Sequence, residues 1–152
     1  MTDKPYGYCK TRSRGVGEQL VAKHCYCPKC KRTATLKRLP TNFKCADLIC
    51  DFCGFLAQVK AMNVKTLTLP KQVLGAAWGP QKDRMDSGIY FSLYLVLKTT
   101  TGQAIYYLPT DFQNSSLFTP RKPLSANAKR AGWQGFMYNL SPVQNGALIQ
   151  LL

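Results

Sequence analysis

Ala46-Asp47-Leu48-Ile49-Cys50-Asp51-Phe52-Cys53-Gly54-Phe55-Leu56-Ala57-Gln58-Val59-Lys60 reads as two strands joined by a tight turn. Strand character runs through Phe43–Ile49 and again through Phe55–Val59. Cys50 and Cys53 bracket the turn, and Gly54 follows them as in a zinc knuckle. Upstream, Cys27-Pro28-Lys29-Cys30 repeats the spacing, with nineteen residues between the two pairs. Two tight turns of two sulfurs each supply the four thiolates that a structural Zn2+ binds tetrahedrally, leaving no position open for catalysis. The plainer alternative is four buried thiols kept reduced. The remaining cysteines are Cys9, Cys25 and Cys45. Cys25 and His24 stand close enough to the first pair to compete for a metal, although His24 also suits a helix end. Cys9 and Cys45 have no partner at metal spacing and read as ordinary thiols.

Farther out, residues 15–24 predict a short helix with Val16, Leu20 and Val21 on one side. Residues 1–11 are polar and expected to fray. Lys31–Lys44 is basic, broken by Pro40, and reads as a hairpin or loop. Leu69–Trp78 predicts a helix with Pro70 near its first turn, and residues 79–88 a loop. Ile89–Lys98 is a strongly apolar strand, Thr99–Gly102 a turn and Ala104–Leu108 the returning strand of a hairpin. Phe136–Leu140 and Ala147–Leu152 read as shorter strands. The order predicts an α/β or α+β fold with a mixed sheet, within one domain over residues 1–152.

Lys and Arg number 21 against 7 Asp and Glu, a net charge of +14, while 45% of residues are hydrophobic. The apolar share excludes whole-chain disorder, and the charge points to a polyanionic partner. No apolar run approaches the roughly 18 residues of a membrane span. The N-terminus carries no export signal, and the cysteine count is odd, so a disulfide scaffold is disfavoured. The expected location is the cytoplasm or another reducing intracellular compartment. Seven basic and no acidic residues lie from Lys23 to Lys44, including Lys31 and Arg32. A second acid-free stretch, Thr119–Trp133, carries Arg121, Lys122, Lys129 and Arg130. Either could be a solvated face; together they favour phosphate contacts. Tyr26, Phe43, Phe118 and Trp133 are neighbouring aromatics that either stack on bases or pack in the core.

Alternation puts Gln58 and Lys60 on one face of their strand, and the Cys50–Cys53 turn can bring Asp47 beside them. A carboxylate, a neutral oxygen ligand and an ammonium so grouped suit metal-dependent phosphodiester cleavage. Asp47 and Gln58 would hold Mg2+, while Lys60 would orient water and stabilise charge on the phosphorane. The same residues also fit a strand-end Asp, a polar Gln and a surface Lys.

Two longer stretches carry a resemblance. One is Tyr26-Cys-Pro-Lys-Cys30 with Ala46–Cys53 and Gln58-Val59-Lys60; the other is Arg121–Gly135 running on to Asn139-Leu140-Ser141. In these the chain resembles the DpnI-type, Dam-replacing family of PD-(D/E)XK restriction nucleases. The resemblance implies a mixed sheet flanked by helices with an inserted four-cysteine zinc site. It implies Mg2+-dependent hydrolysis of double-stranded DNA, with Mn2+ as a substitute, at adenine-methylated GATC-type sites. It implies Asp47, Gln58 and Val59 at the Mg2+ and Lys60 as the catalytic lysine. Glu18 in the first helix corresponds loosely to an assisting acid. Arg121, Lys122, Lys129 and Arg130 would then meet phosphates, with Lys31 and Arg32, and Trp133 and Gln134 would approach bases. Bacterial or phage origin is expected. The family's usual carboxylate is Gln58 here, which should weaken Mg2+ binding by about 1–2 kcal/mol or more. The alternative is therefore a zinc-stabilised DNA-binding protein with weakened catalysis; an RNA-binding zinc ribbon is a third reading. No C-terminal winged helix is expected, so target recognition falls to this domain, to a homodimer or to a partner.

Overall fold

The computed structural model describes residues 15–40, 46–143 and 147–152. In chain order its elements are α1 (residues 15–24), β1 (Leu36–Arg38), β2 (Leu48–Cys50), β3 (Leu56–Asn63), β4 (Gln72–Ala77), α2 (Trp78–Asp86), β5 (Ser92–Lys98), β6 (Gln103–Leu108), β7 (Phe118–Pro120), β8 (Gly135–Asn139) and β9 (Ile149–Gln150), with three short 3-10 turns after β6. The fold is mixed α/β and mostly β. It divides into two compact units, the first built from the chain up to Thr68, Phe91–Pro109 and Ile149–Leu152, the second from Leu69–Tyr90 and Thr110–Leu148.

The first unit is a six-stranded sheet in the order β1-β2-β3-β5-β6-β9. Only β3 and β5 run parallel, paired from Ala57↔Ser92 to Asn63↔Lys98. Ser92–Leu97 is buried at every position, because its run of apolar residues serves both faces of a central strand. β3 alternates instead: Ala57 and Val59 are buried, whereas Gln58 and Lys60 are part-exposed. Val21 of α1 joins Leu36, Leu48, Ala57, Val59, Tyr94, Val96 and Ile105 in one buried cluster. Each such aliphatic side chain contributes roughly 1.5–3 kcal/mol on full burial. α1 seats closely because Gly17 has no side chain: a Cβ there would lie 2.6 Å from Ala61 Cβ.

The second unit is a three-stranded antiparallel sheet, β4-β8-β7, followed along the chain from β4 by α2. Phe118, Phe136 and Tyr138 form its aromatic core, with ring centroids 5.1–5.7 Å apart. Phe118 is thus a core residue here rather than a base-stacking platform.

Several expectations are corrected. Leu69–Trp78 is not a helix: it holds β4, paired with β8 from Gln72↔Asn139 to Ala77↔Gly135. Gly75 permits that pairing, since a Cβ would lie 2.3 Å from the Phe136 ring. The helix lies one element later, at α2, over most of the stretch expected to be a loop. Pro80 falls in its first turn, where no intrahelical N–H is missed. β2 begins at Leu48, so Ala46 and Asp47 of the expected Phe43–Ile49 strand precede it, while residues 41–45, with Phe43 and Cys45, lie outside the described set. So do Cys9 and the frayed N-terminus expected over residues 1–11. β7 was not expected, being short and ending on a proline.

Candidate functional site

The four paired cysteines converge. Cys27 and Cys30 follow α1, and Cys50 and Cys53 bracket the β2–β3 turn. Their four Sγ atoms lie within 4.8 Å of one another. Cys27 Sγ is 3.5 Å from Cys53 Sγ, and Cys30 Sγ is 3.7 Å from Cys50 Sγ. A tetrahedron of sulfurs at zinc's roughly 2.3 Å bond length has edges of about 3.8 Å. Disulfide sulfurs would be about 2.05 Å apart. The cluster therefore fits a tetrahedral metal such as Zn2+ and not two disulfides.

The two turns share one backbone device. The residue after each second cysteine is left-handed, Lys31 at φ 65° and Gly54 at φ 80°. The turns close through Lys31 N–H to Cys27 O and Gly54 N–H to Cys50 O, both 2.9 Å. Cys27 and Cys50 are almost fully buried. Burial pushes the Cys27 thiol up to about 12. Burial also opposes ionisation of Cys50, but Thr35 Oγ1 at 3.2 Å and the Cys53 and Phe52 amides outweigh it and hold that thiol down at about 6. A bound dication would deprotonate coordinating thiols outright. Cys25 stands outside the cluster, a buried thiol raised to about 11 by desolvation. His24 is exposed at the end of α1, with Nε2 3.5 Å from Gln103 Nε2.

The second feature lies at the start of β2. Asp47 N–H donates to Ala57 O at 2.9 Å, although Ala57 is already paired with Leu48. Two successive residues address one partner, as in a β-bulge, a device that re-aims side chains. Val59 N–H then donates to Asp47 Oδ2 at 2.8 Å. The carboxylate caps the backbone of β3 where β2 has not yet joined the ladder. It is thereby held at the residue between Gln58 and Lys60, whose side chains share the strand face opposite Ala57 and Val59. The structure thus brings Asp47 to the Gln58–Lys60 segment.

Glu18 is buried in α1 and ion-paired with Arg38 Nε of β1 at 2.9 Å. The next residue toward the N-terminus, Gly17, packs on Val59 and Ala61 of β3. Arg38 is a participant that sequence reasoning missed. It is one of the seven basic residues from Lys23 to Lys44, and nothing in spacing distinguishes it from a solvated cation.

In the second unit, Arg121, Lys122, Lys129 and Arg130 are all exposed on the loop between β7 and β8. The loop is ordered by its own bonds: Arg121 N–H to Gly135 O, Leu124 N–H to Trp133 O and Gly132 N–H to Leu124 O, each 2.9 Å. Trp133 is half-buried, with the Arg130 guanidinium 4.5 Å from its ring centroid. Gln134 Nε2 donates to Arg121 O at 2.8 Å. Lys31 and Arg32 are exposed on the first cysteine turn of the other unit.

Fold and site together define a basic mixed α/β protein with a four-cysteine metal cluster and a carboxylate anchored to a central strand. Among the described residues no helix is long and apolar enough to cross a membrane. The family model of DpnI, the Dam-replacing family, matches residues 3–152. The chain belongs to that family, a family of restriction-type nucleases.

Proposed function

We propose that the protein is a metal-dependent endonuclease of the PD-(D/E)XK type, cutting double-stranded DNA at adenine-methylated sites. One observation carries this reading: Asp47 Oδ2 accepts the Val59 N–H at 2.8 Å, so an acid is fixed between Gln58 and Lys60. The mixed sheet, with an antiparallel β1–β2–β3 meander and β5 parallel to β3, supports it. The net charge of +14 and the exposed cations of the β7–β8 loop support DNA as the substrate.

In this reading Asp47 and Gln58 would hold Mg2+ through side-chain oxygens, together with the backbone of Val59. The ion supplies Lewis-acid activation of the scissile phosphate and of water. Lys60 places its ammonium against the attacking water and the charge growing on the phosphorane. Glu18 positions α1 through Arg38. The four cysteines hold Zn2+ and fix the β2–β3 turn, and with it the offset between Asp47 and Gln58. Arg121, Lys122, Lys129 and Arg130 grip phosphates.

The test is digestion of matched adenine-methylated and unmethylated plasmid with Mg2+ or Mn2+. Cutting should be restricted to the methylated plasmid and vanish in Lys60→Ala and Asp47→Ala, with fold and metal content unchanged. DNA binding without cleavage under either metal would instead indicate a binding protein disabled by Gln58.

A further inference from the structure

The first cysteine turn borders a cavity of about 180 Å3 within the six-stranded unit. His24, Tyr26, Lys31, Tyr107, Ile149 and Leu151 line it, and no acidic residue does among those described. An apolar cavity of roughly 150 Å3 accepts one benzene ring. This one therefore has room for a single flat ring system. Its mouth is open: Tyr26 is 50% and Ile149 45% exposed. The Lys31 ammonium stands 5.8 Å from the Tyr26 ring centroid. An aromatic face, an aliphatic wall and a cation at the rim match a base, its sugar and its phosphate.

An aromatic–cation pair also spans the two cysteine turns. The Arg32 guanidinium lies 3.7 Å from the centroid of Phe52, a ring 60% exposed. Exposed aromatics interleaved with cations are what proteins use to hold unpaired strands. A peptide side chain would also fit the apolar wall, but Lys31 in the lining and the overall charge of +14 favour a polyanion.

We propose that this cavity binds one unstacked nucleotide of a DNA strand, the base between Tyr26 and the Ile149–Leu151 wall and the phosphate on Lys31. The site rests on the reading of the chain as DNA-acting, but not on the Asp47–Lys60 cluster. It gives the protein a grip on a base extruded from the duplex or at a frayed end.

The test uses the full metal-loaded chain without Mg2+, titrated by calorimetry with deoxyadenosine monophosphate. Deoxyribose 5-phosphate serves as the probe lacking a base. Deoxyadenosine monophosphate should bind at least about fivefold tighter, as loss of one stacked base implies. Tyr26→Ala should weaken it by about fivefold to a hundredfold. Leu151→Trp, on the wall away from the metal turns, should abolish binding, which keeps the test decisive if Tyr26→Ala loses its metal. Lys60→Ala, which should abolish cleavage, should leave this nucleotide binding as in wild type. Equal binding of the two probes would overturn the proposal. So would nucleotide binding that survives Leu151→Trp, or that disappears in Lys60→Ala and so belongs to the cleavage cluster. If the wild-type chain binds the nucleotide but cuts no DNA, the nuclease reading fails and this site stands.

Discussion

The catalytic role proposed for Asp47 is separable from its hold on the β3 backbone, and two substitutions divide them. Its Oδ2 is the acceptor for the Val59 N–H at 2.8 Å, and Val59 is buried. A hydrogen bond to a charged group is worth about 1.5–3 kcal/mol net, and a buried donor left without an acceptor costs about 1–3 kcal/mol. Asp47→Ala should therefore destabilise the protein by about 2–3 kcal/mol. Asp47→Asn keeps an oxygen in place for the same N–H and loses only the charge assistance, about 1 kcal/mol. At roughly 2–4 °C per kcal/mol for a chain of this size, the melting temperature should fall by about 4–12 °C for the alanine variant and about 2–4 °C for the asparagine one. Plasmid cleavage should vanish in both, because with Gln58 already neutral the pair would keep no anionic ligand for the dication. Melting followed by circular dichroism, beside a cleavage assay, reads both quantities on one preparation. An Asp47→Asn protein that cuts like wild type would refute the catalytic role. An Asp47→Ala protein with unchanged melting would refute the strand-capping geometry.

Elemental analysis should find one zinc per chain; Cys30→Ser and Cys53→Ser should lose it and Cys25→Ala should keep it, since Cys25 lies outside the cluster. Stripping the metal with a zinc-selective chelator should remove most of the stability of the six-stranded unit, because structural zinc contributes about 10–16 kcal/mol in small sites. Gln58→Glu adds a charged oxygen beside Asp47 and should shift half-maximal cleavage to lower Mg2+ by about tenfold, the equivalent of about 1.4 kcal/mol, in a metal titration. Gly17→Ala sets a helix-propensity gain of about 1 kcal/mol against a 2.6 Å clash with Ala61 Cβ, and overpacking of about 1–3 kcal/mol should win, with Ala61→Gly restoring stability in the double variant.

Local signals carried much of this architecture. Helix α1, the two cysteine turns and the β5–β6 hairpin each declare themselves within a window of about fifteen residues. Gln58 and Lys60 could be put on one face because a strand has a period of two. β4 failed the same reading. Its Val-Leu-Gly-Ala-Ala run looks helical by propensity, but its partner is β8, on the far side of β5, β6 and β7 in the chain, and Gly75 is small to admit Phe136. Tertiary pairing overrode the local preference there. The bond between Asp47 and Val59 was also invisible, since it depends on an offset between strands that only the folded sheet sets. Glu18 enters only through the family resemblance, and its partner Arg38 sits on a strand reached through the first cysteine turn, so no spacing rule links them.

The parallel neighbours β3 and β5 are separated in sequence by residues 64–91, part of which belongs to the other unit. A nascent chain leaving the ribosome exposes the whole of β3 on one edge before its partner has been translated. The sheet gains its last pairing, Tyr106↔Gln150 and Tyr107↔Ile149, only after the second unit has emerged in full. Such long-range closure makes assembly slow and leaves early intermediates prone to self-association. Synthesis rate and chaperone supply would then govern how much soluble protein a cell accumulates, even for variants whose finished structure is sound.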